Sequence, residues 1–211
     1  MKKIEIFNLG IKNYKEIWDF QKELVDKRSK DIVGDTLLIC EHFPVYTIGA
    51  RGSRKNLLVD ENFLKMKGIM LYHIERGGDI TFHGPGQLVA YPIIKLNEVF
   101  KSIKKFVHNL EEVVKNVLKE YGIEAVRLNK NIGVFVRGKK IASIGVAVKK
   151  GVTFHGLAFN INMDLSFFKL IRPCGLDVEM TDLSKELNRE INLEDIIPLF
   201  INKFKEVFEY N

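Results

Sequence analysis

The sequence lacks most features that mark specialised protein classes. Its 211 residues include two cysteines, Cys40 and Cys174, and neither lies in a CxxC pair or a His/Cys cluster, so we expect reduced thiols and no metal site. No apolar run approaches the length that spans a bilayer. The first residues, MKKIEIFNLG, lack the apolar region and cleavage site of a signal peptide, so we expect a cytoplasmic protein that binds no membrane.

The sequence does contain enough apolar residues for one core. Hydrophobic residues make up 46% of the chain in periodic blocks, and its length suits a single domain over 1–211. The net charge of +6 favours an acidic partner. The lysines are spread along the chain rather than massed, so we expect no nucleic-acid binding, although charge alone equally fits a solvated lysine-rich surface.

The order of predicted elements is typical of an α+β protein. Apolar residues at helical spacing predict helices over 14–30, 60–67 and 102–121. The tail from about Asn192 has the same spacing; Asn192 is a candidate N-cap, although Pro198 would fit better in a first turn. Short apolar runs predict strands over 4–9, 36–42, 45–49, 71–75, 80–83, 88–96, 125–128, 133–136, 140–148 and 152–162. Clustered strands with few helices predict a mostly antiparallel sheet with flanking helices.

The most unusual stretch is RGGDITFHGPGQ, residues 76–87. Glycine adopts positive φ and lets a backbone approach another molecule closely, so Gly77, Gly78, Gly84 and Gly86 predict a groove for a ligand. Each glycine alone would indicate only a β-bulge or a tight turn, but two pairs flanking one strand favour a site. The stretch is not a P-loop, because the Walker lysine and serine are missing. It is not a GxGxxG motif either, and no helix pattern follows it directly.

Two further stretches contain candidates for chemistry. In GKKIASIGVAV, residues 138–148, a lysine pair opens a strand of small residues, and the pair alone would indicate a charged hairpin tip. In VTFHGLAFNINMDLSFFKLIRPCGL, residues 152–176, Cys174 stands between proline and glycine, which predicts a turn and an exposed thiol. Cys40 lies in an apolar strand and is expected to be inert core. A thiol has a pKa of about 8.5, so a nearby lysine would raise its thiolate fraction; spacing alone does not place Lys140 beside Cys174.

The chain resembles the octanoyl-[acyl-carrier-protein]:protein octanoyltransferases of lipoate biosynthesis along nearly its whole length. The resemblance rests on five motifs in the family's order, EHFPVYTIG, RGGDITFHGPGQLVAYP, KKIASIGVAV, FHGLAFNINMDL and PCGL. The family's usual motif has proline in place of Phe43, a change that we expect to be silent. The resemblance implies the α+β catalytic domain that biotin- and lipoate-protein ligases share.

The resemblance also implies roles for individual residues. Cys174 would form the acyl thioester, and Lys140 would lower the pKa of its thiol. His155 is a further candidate for the pocket. The substrate-contacting residues would be Arg76, Gly77, Gly78, Asp79, Ile80, Thr81, Phe82, His83, Ser143, Ile144, Gly145, Gly156, Leu157 and Ala158.

The implied partners are octanoyl-acyl carrier protein as donor and lipoyl domains as acceptors, both those of 2-oxoacid dehydrogenase E2 subunits and the glycine cleavage H protein. The implied reaction needs no cofactor. Two alternatives stay open. An ATP-dependent lipoate or biotin ligase would have the same fold, but the GRGRxG loop of biotin ligases is missing and there is no room for the extra domain of lipoate ligases. A non-catalytic domain that binds nucleic acid or an acyl carrier is supported only by the charge.

Overall fold

A computed structural model describes residues 2–96, 102–128, 131–172 and 178–211. The strands are β1 (Ile4–Lys12), β2 (Asp35–His42), β3 (Val45–Ile48), β4 (Met70–His73), β5 (Ile80–His83), β6 (Gln87–Ile93), β7 (Val126–Leu128), β8 (Asn131–Val136), β9 (Lys139–Lys149) and β10 (Val152–Asn160). The helices are α1 (Tyr14–Ser29), α2 (Glu61–Met66), α3 (Ile103–Glu120), α4 (Leu183–Leu187) and α5 (Leu193–Phe208). Arg54–Asn56 and Leu165–Leu170 form 3-10 helices.

The strands form two sheets. The larger sheet has the order β1-β2-β6-β10-β9-β8-β7, and the smaller has the order β4-β3-β5. The β1–β2 and β3–β4 pairs are parallel, and the other pairs of the described strands are antiparallel. The predicted α+β fold with a mostly antiparallel sheet and flanking helices is therefore confirmed.

Helices α3 and α5 cover one face of the larger sheet. In α3 the apolar residues recur every three or four positions, so one side is buried, and Ser102 caps the helix by accepting from the Lys104 amide at 3.1 Å. This side packs with Phe200, Phe204 and Phe208 of α5 against the sheet. On the other face, α1 packs against β2, β6 and β10. The smaller sheet has its own core around Tyr46, Ile48 and Phe82.

Most predicted elements agree with the structure. Asn192 is at the N-cap position of α5, as predicted, although its side chain makes no capping hydrogen bond. Pro198 is the sixth residue of the helix rather than in its first turn, where proline fits better. The helix begins after Asn192 because burial of Ile196, Ile197 and Phe200 sets its extent, at the cost of the amide that proline lacks. Short elements such as α4 have too few residues for a periodic pattern. Within the described ranges, no helix combines the length and apolar character that a bilayer crossing needs.

Candidate active site

The loop that enters β5 is fixed by its surroundings. Backbone N–H groups of residues 49–51 donate to the carbonyl oxygens of Arg76, Gly78 and Asp79 at 2.9–3.3 Å. The buried Arg76 guanidinium donates to the carbonyl oxygen of Thr47 at 2.8 Å and to its hydroxyl at 3.0 Å. Because these carbonyl oxygens and both terminal nitrogens of the Arg76 guanidinium are bonded within the protein, the fold itself holds this loop in place.

The same loop lies directly on β9. The Gly77 N–H donates to the Val146 carbonyl at 3.1 Å. A Cβ atom on Gly145 would lie 2.8 Å from the Gly77 carbonyl oxygen and 2.9 Å from Cδ of Arg76. Strands β9 and β10 place the other two predicted segments opposite each other, in the pairs Gly145–Gly156, Ile144–Leu157 and Ser143–Ala158. The structure therefore brings the 76–79 loop onto the β9–β10 hairpin, which is at least sixty residues away in sequence.

The protein's own backbone makes the close approach at several of these glycines. A Cβ atom on Gly156 would lie 2.1 Å from the Ala90 carbonyl oxygen of β6, and one on Gly86 would lie 1.9 Å from the Asn162 carbonyl oxygen. The sequence pattern predicts that a ligand approaches the backbone at the glycines of this site. What approaches Gly145, Gly156 and Gly86 in the structure is the chain itself, and their contact with a substrate stays a prediction.

Replacing Gly156 with alanine is expected to lower the free energy of unfolding by about 3 kcal/mol, because strands β6 and β10 cannot both keep their register around the added methyl group. Gly34→Ala is the matched control, since a Cβ atom there meets nothing within 4 Å and φ is not left-handed. We expect a change within about 0.5 kcal/mol for the control. Urea denaturation of the three proteins measures the difference; equal stabilities would contradict the packing described.

Residues 79–83 have different environments in the structure. Oδ1 of Asp79 accepts from the backbone amides of Ser53 at 3.1 Å and Ile80 at 2.7 Å, so this carboxylate braces the loop. Ile80 and Phe82 are buried in the core of the smaller sheet, while Thr81 is half-buried.

A chain of buried hydrogen bonds joins His83 to Lys140. Nδ1 of His83 lies 2.8 Å from Oε1 of Gln87, and Nε2 of Gln87 donates to Oδ1 of Asn160 at 2.9 Å. Nδ2 of Asn160 donates to the Thr181 carbonyl at 2.9 Å, and the Thr181 N–H donates to the Lys140 carbonyl at 2.9 Å. Because the amide group of Gln87 donates to Asn160, its oxygen accepts from His83, so the imidazole proton is on Nδ1 and Nε2 is an acceptor.

Lys140 is positioned through both its backbone and its side chain. Its N–H donates to the Glu179 carbonyl at 2.8 Å. Its side chain crosses the backbone of Gly133, where a Cβ atom would lie 2.5 Å from Cε of Lys140. The ammonium nitrogen lies 5.7 Å from the centroid of the Phe135 ring. Glycine at 133 thus leaves the space that the Lys140 side chain fills.

The predicted nucleophile Cys174 lies outside the described residues, and so does the PCG motif around it. The chain on either side is anchored at the site. The Arg172 N–H donates to the Asn56 carbonyl at 2.8 Å, beside the residues that brace the 76–79 loop. On the other side, Glu179 and Thr181 bond to the backbone of Lys140.

His155 is buried behind the 76–79 loop. Its φ is +56°, and its N–H donates to Oε1 of Gln21 at 2.7 Å. Nε2 of His155 lies 3.3 Å from a Glu75 carboxylate oxygen, which also accepts from Nε1 of Trp18 at 3.0 Å. These hydrogen bonds lower the pKa of Glu75, and burial lowers the pKa of His155. The arrangement ties α1, β10 and the residue before Arg76 together.

Two buried histidines share an aromatic cluster under the site. Nε2 of His42 lies 2.7 Å from the Tyr91 hydroxyl, and the rings of His42 and His83 are 5.9 Å apart. Tyr14 stacks on His83 with the ring centroids 5.8 Å apart. Burial lowers the pKa of His42 to about 4 and that of His83 to about 3. Both imidazoles are therefore neutral in the folded protein at physiological pH.

This burial predicts that acid destabilises the fold. Below pH 6.5 these histidines bind protons in the unfolded chain but stay neutral in the folded chain. The free energy of unfolding therefore falls as the pH is lowered from 6.5 to about 4. Between pH 7 and pH 5 the loss should reach up to about 2 kcal/mol for each histidine. Urea denaturation of His42→Gln should show a smaller loss than the wild type. The exposed-site control His73→Gln should keep the full loss, and an unchanged pH dependence in His42→Gln would refute the assignment.

The sequence interpretation missed several residues that build the site. They share one signal, a polar side chain inside a buried element or directly beside one, and they are Gln21, His42, Thr47, Glu75, Gln87, Asn160 and Thr181. A polar residue in an otherwise apolar strand indicates that a buried partner exists. Which partner it meets depends on strand order, which local spacing does not specify.

Comparisons with known proteins define the class to which this chain belongs. Residues 13–205 match the lipoyl protein ligase A/B catalytic domain, and the chain belongs to this family. Within it, the chain is similar to the octanoyltransferase of Caldanaerobacter subterraneus subsp. tengcongensis, with 44% identity covering 99% of this chain and 92% of the relative. The protein is therefore an acyltransferase of the octanoyltransferase type.

Solved structures show the same fold. A bipartite lipoate protein ligase from Thermoplasma acidophilum, studied with its E2 lipoyl domain, has a TM-score of 0.77 at 17% identity, with 100% of this chain and 86% of that chain covered. Biotin protein ligase from Aquifex aeolicus has a TM-score of 0.55 at 13% identity, with 99% and 70% covered. The predicted likeness to the catalytic domains of biotin and lipoate ligases is confirmed.

Proposed function

We propose that this octanoyltransferase acts in protein lipoylation, moving the octanoyl group from octanoyl-acyl carrier protein to a lysine ε-amine of a lipoyl domain through a thioester on Cys174. One cytoplasmic catalytic domain over 1–211 would carry both half-reactions without a cofactor. The observation that supports this most is the convergence of three segments, with Gly77 bonded to β9, the strand that also contains Lys140, and with Gly145 of that strand facing Gly156.

The first half-reaction exchanges one thioester for another. The Cys174 thiolate attacks the carbonyl carbon of the octanoyl thioester, the new C–S bond to Cys174 forms, and the C–S bond to the carrier breaks. The carrier takes a proton from the Lys140 ammonium and leaves as its thiol, so Lys140 is left as a neutral amine. The energies of the two thioesters are similar, so no ATP is required. The Lys140 ammonium favours the thiolate form of Cys174 by charge attraction. Preorganised backbone amides at the site stabilise the oxyanion.

The second half-reaction forms an amide. The ε-amine of the acceptor lysine has a pKa of about 10.4 and arrives mostly protonated, so a proton acceptor is needed. Lys140 can fill this role because it gave its proton to the departing carrier and is neutral while Cys174 is esterified. It accepts one proton from the ammonium of the acceptor lysine, and the second proton is released to water. The amide C–N bond forms, the C–S bond breaks, and the thiolate of Cys174 is restored. The anchoring of Glu179 and Thr181 on Lys140, a few residues after Cys174, supports this pairing.

Partner identity has separate support. The net charge of +6 suits an acidic carrier protein. The acceptor is supported by the Thermoplasma relative in fold, which was studied with an E2 lipoyl domain. The H protein of glycine cleavage is a second acceptor of the same class.

Intact-mass measurement tests the proposal. The purified protein is mixed with octanoyl-acyl carrier protein without ATP, and a lipoyl domain is then added. We expect one octanoyl adduct on the enzyme that moves to the lipoyl domain. Transfer without an adduct would mean direct transfer and a wrong role for Cys174. Transfer only with free octanoate and ATP would favour the ligase alternative.

A further inference from the structure

One surface beside the site is built from two segments that are rich in basic residues, with Asp79 bonded to the backbone of Ser53 at its edge. Segments 51–58 and 165–172 run side by side, with the Leu58 N–H donating to the Leu170 carbonyl at 2.9 Å and a bridge between Leu57 and Ile171. Their sixteen residues include the basic Arg51, Arg54, Lys55, Lys169 and Arg172 and no Asp or Glu. Arg54 is paired with Glu61. We call the other four residues, Arg51, Lys55, Lys169 and Arg172, the basic ridge.

The basic ridge is exposed and its charge is not neutralised locally. Its four side chains are exposed, and within the part of the chain that the structure describes none of them forms an ion pair. By contrast, many lysines elsewhere are paired, for example Lys139 with Glu179 at 2.7 Å and Lys203 with Glu120 at 2.7 Å. Four positive charges on adjoining segments produce a local positive potential that attracts an acidic surface.

The ridge adjoins the site through backbone contacts. The Ala50 and Arg51 amides donate to the carbonyls of Arg76 and Gly78, and Arg172 directly precedes the segment that contains Cys174. Leu58, which is 47% exposed, adds an apolar contact among the cations. An apolar centre surrounded by charge of one sign is the composition of a transient docking surface.

We infer that the basic ridge docks the acidic protein that delivers the octanoyl thioester. The inference rests on the proposed function and deepens it, because it assigns the donor, rather than the acceptor, to this surface. Docking here places the donor beside the 76–79 loop and the chain that leads to Cys174. Charge attraction makes the association fast and sensitive to salt, while the chemistry at the thioester does not depend on the ridge.

The test compares two donors with Lys55→Glu/Lys169→Glu. With octanoyl-acyl carrier protein and no acceptor, the second-order rate of adduct formation should fall about tenfold at low salt, and the loss should shrink as salt is added. With the uncharged donor octanoyl-N-acetylcysteamine, the rate should stay within about twofold, since no docking is involved. Transfer from the preformed acyl-enzyme to a lipoyl domain should also be unchanged.

A matched control and a milder variant make the result interpretable. Lys104→Glu/Lys105→Glu changes the net charge by the same amount. Both lysines are exposed at the start of α3, which packs in the core of the larger sheet, so this variant should not change either rate. Lys55→Gln/Lys169→Gln should give a smaller loss with the carrier donor only, and it serves if charge reversal impairs folding.

Three results would overturn the inference: equal losses with both donors, no loss with the carrier, or a loss confined to the transfer to the lipoyl domain. The last would assign the ridge to the acceptor. If wild-type protein forms no adduct with either donor, the proposed function itself fails, and that outcome is distinct from a ridge variant that behaves as wild type.

Discussion

Cys174→Ser is expected to abolish the octanoyl adduct and to reduce octanoyl transfer by about a thousandfold or more. A serine hydroxyl ionises far less readily than a thiol, so at neutral pH it offers almost no nucleophile. An ester on serine would also be a poorer acyl donor to an amine than a thioester. The measurements are intact mass after exposure to octanoyl-acyl carrier protein and the rate of lipoyl-domain modification.

The other cysteine provides the control. Cys40 is 2% exposed in β2, and burial raises the pKa of its thiol. Cys40→Ala should therefore keep the adduct and most of the transfer rate, with a loss of stability alone. Retained activity in Cys174→Ser, or loss of the adduct in Cys40→Ala with the fold intact, would remove Cys174 from the proposed role.

Lys140→Met should slow turnover by about a hundredfold. Without the ammonium group, the pKa of the Cys174 thiol should return toward about 8.5, so iodoacetamide labelling at pH 7 should slow and its pH midpoint should rise. Methionine has a similar length and no charge, so it fits the space over Gly133 that the Lys140 side chain occupies. The measurements are the labelling rate against pH and the rates of both half-reactions.

Two further variants separate the roles of Lys140. Lys139→Met removes a neighbouring exposed charge that pairs with Glu179 at 2.7 Å, and it should leave labelling and turnover nearly unchanged. Lys140→Arg keeps a positive charge but cannot accept a proton, so acylation should survive better than transfer to the amine. If Lys140→Met labels and turns over like the wild type, neither the pKa role nor the proton-transfer role stands.

Elements with a clear local pattern could be predicted from the sequence. Helix α3 has apolar residues at helical spacing, and the strands around Cys40 and Val89 are continuous apolar runs, so their predicted extents agree with the structure within a few residues. The resemblance supplied the candidate residues, and the structure then showed where those in the described chain lie. Asn192 is at the N-cap position of α5, as predicted, and Pro198 lies inside the helix because tertiary burial of Ile196 and Phe200 outweighs the local preference of proline for a first turn.

The sequence by itself determined the fold class and the periodic elements, because these depend on contacts within or near each element. It also showed where glycines cluster, but the groups that crowd Gly86, Gly145 and Gly156 are distant in the chain. Only the tertiary structure decided what each glycine faces and which buried polar groups meet. Gly145 meets Gly77, and Gln87 meets Asn160, across strands that are far apart in the chain. Such contacts depend on strand order and register, with β10 between β6 and β9, and no local spacing encodes that order.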